Sequence, residues 1–399
     1  MSELLARASL TRLFEPQDAV GLALVAVLGP EEALAVITSG GEPDPGLEQS
    51  LHELLAEEGG NTSWKGLGAA FCRWRPRVPS LAPERDLMVL QRLGGGFLIP
   101  SDEHWPQQLS DLGLQAPLGL WYRGNPSLLP GAAHAVAVVG SRDSTAYGAT
   151  ISADLAHGLA RKGFTVVSGG AYGIDAHAHR AALTGADPGG SRAPTVAFMA
   201  GGLDRFYPSG NDELLRTVAR RGLVLAEVPP GAAPTRYRFL QRNRMIAAFA
   251  GATVVVEARW RSGALNTAHH AEALGRPVAA VPGSVLSANS AGCHRLLRDG
   301  GAVLVTDVQE VLELLGGEPD PSGDVRHRAE AAIQDGLTLE DLILLDALPL
   351  RTPVPPEKLC VVAGLSLLAV RAGLGRLQVL GLAESVGLLW RRGPTRNPA

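Results

Sequence analysis

Short apolar runs alternate with amphipathic segments through the middle of the chain. Runs of three to five apolar or β-branched residues, bounded by Gly, Ser or Pro, predict strands. The predicted strands are Leu118–Tyr122, Ala135–Val139, Thr165–Val167, Thr195–Met199, Leu223–Ala226, Thr253–Val256, Val278–Val281 and Val303–Val305. Helical spacing of apolar residues marks Ala149–Lys162 and Asp175–Thr184. Strands alternating with helices predict an α/β domain with a doubly wound, mostly parallel sheet over residues 95–312.

The first 90 residues have a different pattern, which predicts a small helical domain. Asp18–Leu28 and Pro30–Ile37 flank a Gly-Pro break. This pair is either a helix-hairpin-helix (or another SAM-like arrangement) that grips phosphate, or a plain helical cap. Residues 60–85 are poorly periodic and contain Trp, Arg and Pro, which favours a linker.

The C-terminal part predicts a separate unit after a linker. Residues 313–333 are rich in Gly, Pro, Asp and Glu, which is typical of a linker. Within residues 334–399, helices are expected at Leu339–Leu348, at Pro355–Ala363 and from Ser366 to Leu380, followed by a strand at Val386–Trp390. This order is that of a winged helix. The third helix carries few basic residues, so contact with a protein is as good an expectation as contact with DNA.

Charge is distributed unevenly along the chain. The net charge is −4, but residues 131–310 carry 18 Arg or Lys against 13 Asp or Glu, while the two flanks together carry −9. A basic centre between acidic flanks indicates a polyanion site. Ordinary scatter of charge is the alternative, because five excess charges in 180 residues are modest.

Composition places the chain among globular proteins. Its 399 residues are 46% hydrophobic and 19% charged. Three cysteines are too few for a disulfide framework, and we find neither a signal-peptide pattern nor a run of apolar residues long enough to span a membrane. We therefore expect a cytoplasmic protein.

Small residues recur where the predicted strands end. They form four motifs: Gly140-Ser141-Arg142, Ser168-Gly169-Gly170, Gly201-Gly202 and Ser262-Gly263. Parallel strands end at one edge of the sheet, where Gly and Ser let backbone N–H groups and helix N-termini approach an anion. The spacing differs from that of a dinucleotide-binding fingerprint, so no cofactor is expected.

Arginines surround the same edge in the sequence. They are Arg142, Arg236, Arg238, Arg242, Arg244 and Arg261. Arg236-Tyr237-Arg238-Phe239 alternates guanidinium and aromatic side chains, which suits phosphate clamping and base stacking. A salt bridge at the helix end is the alternative for Arg242 and Arg244, and 33 of the 36 basic residues are Arg in any case.

No catalytic or metal-binding set emerges from the sequence. The histidine pairs His177/His179 and His269/His270 do not share a helix face. Asp175 falls where a helix cap is expected. Asp204 and Glu257 could be acids near the site, but capping or pairing with Arg explains them equally well.

Several motifs together resemble the DprA family (DNA processing protein A, also called Smf). The resemblance covers roughly residues 95–310. The motifs are Gly140-Ser-Arg142, Ser168-Gly-Gly-Ala-Tyr-Gly-Ile-Asp175 with Ala-His-Ala-His179, Gly202-Leu-Asp-Arg-Phe-Tyr-Pro208, Glu227-Val-Pro-Pro-Gly231, Phe239 to Arg244, Ser262-Gly263 to Thr267-Ala268, and Val281-Pro-Gly283.

The resemblance implies an extended Rossmann-like domain that binds single-stranded DNA, forms a homodimer and loads RecA during natural transformation. Single-strand-binding protein is a further candidate partner. By resemblance, Arg142 and Arg236 are basic contacts and Phe239 is the stacking ring. The complete expected DNA-binding set is Ser141, Arg142, Ser168, Gly169, Gly170, Arg236, Arg238, Phe239, Arg242, Arg244, Arg261, Ser262 and Gly263.

Two other functions stay open. Related folds hydrolyse nucleoside monophosphates with a Gly-Gly-x-Gly-Thr-x-x-Glu turn, but here His270 stands three residues after Thr267, where the acid would be. An adaptor that binds mainly proteins is the second alternative, which the weakly basic C-terminal unit favours.

Overall fold

The computed structural model describes residues 2–42, 44–57, 65–187, 189–316, 337–350 and 352–393. The chain divides into two compact units, residues 1–317 and residues 318–399. The predicted linker at 313–333 starts at the end of a short helix, and its residues 317–333 lie outside the described part of the chain.

A nine-stranded sheet forms the centre of the first unit, as counted over the described residues. Its strands are β1 (Gly95–Leu98), β2 (Leu120–Gly124), β3 (Ala135–Val139), β4 (Thr165–Ser168), β5 (Thr195–Met199), β6 (Leu223–Ala226), β7 (Ala252–Val255), β8 (Val278–Ala280) and β9 (Val303–Leu304). The spatial order is β1-β2-β6-β5-β4-β3-β7-β8-β9. Strands β3 to β9 pair in parallel, whereas β2 runs antiparallel to both β1 and β6. The predicted mostly parallel sheet is confirmed.

Helices cover both faces of this sheet. They are α7 (Ala146–Arg161), α8 (Ile174–Gly185), α9 (Asp212–Arg221), α10 (Arg236–Phe249), α11 (Gly263–Ala273), α12 (Ala291–Arg298) and α13 (Val308–Glu313). Strand β3 shows the division: Ala135, Ala137 and Val139 pack with α10 and α11, whereas Val136 and Val138 pack with α7 and α8. A strand buried on both faces has an uninterrupted apolar sequence, which is why β3 was predictable.

Helices also fill the N-terminal part of this unit. They are α1 (Glu3–Leu13), α2 (Ala19–Leu28), α3 (Pro30–Thr38), α4 (Pro45–Glu57), α5 (Gly66–Trp74) and α6 (Pro83–Arg92). The predicted linker at 60–85 is wrong, because α5 buries Phe71 and Trp74 in the core of these helices. The Trp74 indole N–H donates to Asp18 at 2.9 Å. A separate domain bounded at residue 90 stays a prediction, since the helices belong to the same compact unit as the sheet.

The described residues of the second unit form three helices and a hairpin. They are α14 (Leu339–Ala347), α15 (Pro356–Ala363), α16 (Leu367–Val379), β10 (Ala383–Val386) and β11 (Leu389–Arg392). Leu344, Leu359 and Leu374 are buried between the helices. The order of elements is the predicted one, with a pair of strands after the third helix, but the predicted strand at Val386–Trp390 spans the turn between β10 and β11. Its identification as a winged helix stays a proposal.

No single helix in the described ranges is both long and apolar enough to cross a membrane. Two sharply bent helix pairs, α2 with α3 and α15 with α16, meet that criterion only when joined, and by length and composition alone.

Candidate functional site

A cleft of about 310 Å³ opens at the carboxyl edge of the parallel strands. Its wall is formed by the end of β3 and the loop after it, the loop before α8 with the first turn of that helix, α10, the loop between β7 and α11, and the start of α11. Its lining residues are Val139, Gly140, Ser141, Arg142, Ala171, Asp175, Phe239, Leu240, Arg242, Asn243, Ile246, Arg259, Arg261, Ser262, Gly263, Ala264 and Thr267. Among these lining residues there are four arginines and one carboxylate, so the cleft is electropositive.

The loop after β3 is fixed by hydrogen bonds on both sides. Ser141 N–H donates to the Glu257 carbonyl at 2.7 Å, and the Ser141 carbonyl accepts from Ile174 N–H at 3.1 Å. A side chain at Gly140 would bring a Cβ within 2.6 Å of Ile174 and 2.9 Å of the Glu257 carbonyl. The Glu257 carboxylate accepts from Thr145 N–H at 2.9 Å and from its hydroxyl at 2.6 Å. Glu257 therefore holds the loop in place, which agrees with the structural alternative given for it in the sequence analysis.

Arg142 projects from this fixed loop over an aromatic ring. The residue is exposed, and its guanidinium carbon lies 4.7 Å from the centre of the Phe239 ring. Phe239 is partly buried, and the Tyr207 ring lies 5.8 Å away. None of the described carboxylates forms an ion pair with Arg142, so its charge is available to a ligand.

Arg242 is held inside the wall of the cleft. It is 5% exposed, and it donates to the Gly169 carbonyl at 2.8 Å and to the Phe198 carbonyl. Burial lowers its pKa to about 10, although the Asp175 carboxylate acts in the opposite direction. A Cβ at Gly169 would lie 2.4 Å from the guanidinium, so the glycine lets the Arg242 side chain lie close to the backbone. Arg242 contributes positive potential and has one edge on the cleft.

Asp175 is the only carboxylate in the lining of this cleft. It is buried, and its Oδ2 atom accepts from Gly169 N–H at 3.1 Å and Ala171 N–H at 3.3 Å. Burial raises the pKa of Asp175, while Arg242 and these amides oppose the rise. The carboxylate therefore organises the turn after β4. The expected role of Asp175 as a helix cap is wrong, because the N-cap of α8 is Gly173, without a side-chain hydrogen bond, and Asp175 lies in the first turn of the helix.

Helix α11 begins at the cleft. The Ser262 hydroxyl oxygen accepts from Ala264 N–H at 3.3 Å, which makes Ser262 the N-cap. Gly263 has no atom within 4 Å of the position of a Cβ, so the approach to this helix end is open. Arg261 precedes the cap, is exposed, and pairs with no carboxylate among the described residues. The free N–H groups and the helix dipole here favour an anion.

The prediction of a DNA contact at Arg244 is wrong. Its side chain is 0% exposed and forms two hydrogen bonds to the Glu227 carboxylate, at 2.7 Å and 2.9 Å. It also donates to the Gln115 and Gln241 carbonyls. These partners satisfy the guanidinium inside the protein, so the salt-bridge alternative holds for Arg244.

Other expected site residues also lie away from the lining. Arg238 donates to Glu15, between α1 and α2, at 2.9 Å and to the Ala233 carbonyl at 2.7 Å, so its guanidinium is engaged inside the protein, although Glu15 also pairs with Arg77. Ser168 is buried and donates to the Val138 carbonyl at 2.7 Å. Arg238 and Ser168 were expected to contact DNA, whereas the structure shows them bonded to other parts of the protein, where they support the site. Arg236 is exposed at the start of α10, outside the lining. Gly170, also outside the lining, is buried with φ +68°.

Arg259 and Asn243 are among the lining residues that are absent from the expected DNA-binding set. Arg259 lies on the loop after β7, where its guanidinium pairs with Asp143 at 2.6 Å. Asn243 donates to the Gly263 carbonyl and to Asn266, both at 3.2 Å, and so ties α10 to α11. Arg259 could have been found by its place two residues before Arg261, and Asn243 by its place inside the motif from Phe239 to Arg244.

Comparison with known proteins identifies relatives of the chain. Residues 96–316 match the sequence profile described as DNA recombination-mediator protein A. A Mycobacterium tuberculosis protein, named as a DNA processing protein DprA, is 43% identical over 394 residues, which cover 96% of this chain and 93% of that protein. DNA processing protein DprA of Streptococcus pneumoniae is 43% identical over 211 residues, 53% of this chain and 71% of that protein.

A solved structure agrees with this result. The X-ray structure of DNA processing protein A from Streptococcus pneumoniae matches with a TM-score of 0.59 and 30% identity, over 78% of this chain and 98% of that chain. The matching profile spans more than half of the sequence, and the mycobacterial relative matches nearly all of it. The chain therefore belongs to the DNA recombination-mediator protein A (DprA) family.

Proposed function

We propose that this protein binds single-stranded DNA in the cleft at the carboxyl edge of its sheet. The observation that carries the proposal is the exposed Arg142 guanidinium lying over the Phe239 ring, 4.7 Å from its centre, beside the open N-terminus of α11. A cation and an accessible ring in one cleft match the two surfaces of a nucleotide, its phosphate and its base.

Phosphate binding is supported by charges that lack a partner. Arg142 and Arg261 are exposed and form no ion pair within the described part of the chain. The N–H groups at the start of α11 add hydrogen-bond donors aimed at the same space. By contrast, Arg238 and Arg244 already have carboxylate partners and contribute little attraction.

Selectivity for single strands is supported by the aromatic ring. Bases in a duplex are stacked on each other, so their faces cannot reach a ring in a cleft, whereas unpaired bases can. Phe239 is partly buried, which fixes its orientation while leaving part of the ring accessible. In the C-terminal unit, Arg376 forms an ion pair with Asp341 at 2.7 Å. This pairing leaves the third helix of that unit with less positive charge for binding a duplex.

We also propose that the protein acts by binding DNA and not as an enzyme. Asp175 accepts two backbone N–H groups, Glu257 caps the loop after β3, and Asp204 accepts from Gly231 N–H at 2.7 Å. These three carboxylates have structural partners, and none of the described histidines lines the cleft. Release of adenine from AMP at high protein concentration would favour the nucleotide-hydrolase alternative instead.

We further propose that the protein acts in the cytoplasm as a homodimer that loads RecA onto strands taken up during natural transformation. Membership of a recombination-mediator family supports this step. The test measures ATP hydrolysis by RecA on single-stranded DNA coated with single-strand-binding protein. Addition of this protein should shorten the lag before hydrolysis. An unchanged lag, with DNA binding intact, would contradict RecA loading, and light scattering would test the dimer.

The direct test of DNA binding uses fluorescence anisotropy with labelled single-stranded and duplex oligonucleotides of equal length. We expect tighter binding of the single strand and a steep loss of affinity with rising salt, because phosphate neutralisation releases counterions. Equal affinity for both forms, or affinity independent of salt, would contradict the proposed site.

A further inference from the structure

Trp260 is a large exposed aromatic residue at the rim of the cleft. It is 52% exposed and lies in the loop between β7 and α11. Its two neighbours in the chain, Arg259 and Arg261, both line the cleft. One face of its ring is covered by the Arg295 guanidinium from α12, whose carbon lies 5.1 Å from the ring centre. The indole is thus held in place while about half of the residue stays open to solvent.

The loop that carries Trp260 is fixed by neighbouring loops. Arg259 pairs with Asp143 at 2.6 Å and donates to the Asn289 side chain at 2.8 Å. Asn289 in turn donates to the Asp143 carbonyl at 2.6 Å and accepts from Ala258 N–H at 2.7 Å. Since the loop is already ordered, a ligand that stacks on Trp260 would lose little affinity to ordering of the protein.

The charges around this ring suit a nucleotide chain. Arg295 has no ion-pair partner in the described ranges, so the guanidinium against the indole is uncompensated, and the same is true of Arg261, the next residue after Trp260. The arrangement repeats the one at Arg142 and Phe239, where a guanidinium also lies against an aromatic ring. The two pairs come from different elements of the same rim, the β3–α7 loop with α10 and the β7–α11 loop with α12.

We propose that Trp260 is a second base-stacking position, which takes an unpaired base of the DNA strand after it leaves the cleft. This inference rests on the proposed function of the cleft and extends the strand's path past Arg261. Strands short enough to occupy only the cleft do not reach Trp260, whereas longer strands do. The contribution of Trp260 therefore depends on strand length, unlike that of Arg142.

The test measures the affinity of the full chain for oligothymidylates from about 4 to about 20 nucleotides, by anisotropy. Trp260→Ala should weaken binding of the long strands roughly tenfold, the effect expected when one base–aromatic stack is lost, and leave the shortest binding strands unchanged. Trp260→Phe, which keeps a ring, should retain most of the affinity. Met88→Ala is the matched control, because Met88 is 49% exposed on α6, away from the cleft.

A photochemical cross-link gives an independent readout. A long strand with 5-iodouracil at each position in turn should cross-link to the peptide that contains Trp260 from one or two positions only. No affinity change in Trp260→Ala at any length, or an equal loss at all lengths, would overturn the inference. A changed oligomeric mass with unchanged DNA binding would overturn it too, by assigning Trp260 to a protein interface.

These outcomes are separable from failure of the proposed function. If the unaltered chain binds no single strand, the cleft assignment fails. If it binds and Arg142→Glu abolishes binding while Trp260→Ala does nothing, only the second stacking position fails.

Discussion

The buried Arg244–Glu227 pair gives a prediction that separates structural arginines from ligand-binding ones. Glu227 supplies both carboxylate oxygens to Arg244, at 2.7 Å and 2.9 Å, and the arginine side chain is fully buried. Glu227→Gln removes the countercharge and leaves a buried cation with uncharged acceptors only. Breaking one side of a buried pair in this way costs about 3–5 kcal/mol, and because the amide keeps one oxygen we expect about 3 kcal/mol.

Urea unfolding of the full chain, followed by tryptophan fluorescence, measures this loss. Trp390 is the only tryptophan of residues 318–399, so the signal reports mainly on the first unit. The double variant Glu227→Leu with Arg244→Met removes both charges and should lie within about 1 kcal/mol of the unaltered protein. The reasoning is refuted if Glu227→Gln costs less than about 1 kcal/mol, or if Arg244→Met weakens DNA binding without loss of stability.

Three further predictions follow from the site and its supports. Phe239→Ala should weaken single-strand binding, measured by anisotropy, by about 1–3 kcal/mol and leave stability unchanged. Phe239→Tyr keeps a ring and should bind normally, so an equal loss of affinity in Phe239→Tyr would contradict stacking. Gly173→Ala should destabilise the protein and weaken DNA binding, because Gly173 has φ +72° and its Cβ would lie 2.3 Å from the Ser141 carbonyl; unchanged unfolding and affinity would contradict this. Burial, helped by the charges of Arg242 and Arg180, lowers the pKa of His179 to about 3. The unfolded chain then binds a proton near pH 6.5 that the folded chain does not, so the free energy of unfolding should fall by about 2 kcal/mol between pH 7 and pH 5. In urea unfolding, His179→Asn should show a fall that is smaller by this amount. An equal fall in both proteins would contradict the prediction.

The sheet was predictable because its strands are buried on both faces. Ala135–Val139 and Thr195–Met199 are continuous apolar runs whose predicted ends match the structure. Strand β1 (Gly95–Leu98) was missed, because two glycines at its start weaken the strand pattern and it pairs only at the edge of the sheet. Helix α5 was missed because Arg and Pro follow it closely, although tertiary packing of Phe71 and Trp74 decides its structure.

The cleft was predictable in position but not in the role of each arginine. Small residues at the ends of β3 and β7 correctly indicated the edge where the cleft opens. Arg242 and Arg244 are two positions apart on α10, so they point in different directions, one to the cleft and one to Glu227. The partner of Arg244 lies 17 residues away, and that of Arg238 lies 223 residues away, so the sequence pattern did not identify the partner of either arginine.

One comparison tests the central claim most directly: the affinity of a single-stranded oligonucleotide for the unaltered chain, for Arg142→Glu and for Arg161→Glu at equal salt. Arg142 lies on the cleft, whereas Arg161 is exposed at the end of α7 and lines no part of it. We expect Arg142→Glu to abolish most binding without loss of stability and Arg161→Glu to change it little. Arg161 lies at the far end of the 16-residue helix α7, about 24 Å along its axis, which exceeds the screening length of about 10 Å. Equal effects of the two variants, or full binding by Arg142→Glu, would contradict the assignment of this cleft to DNA.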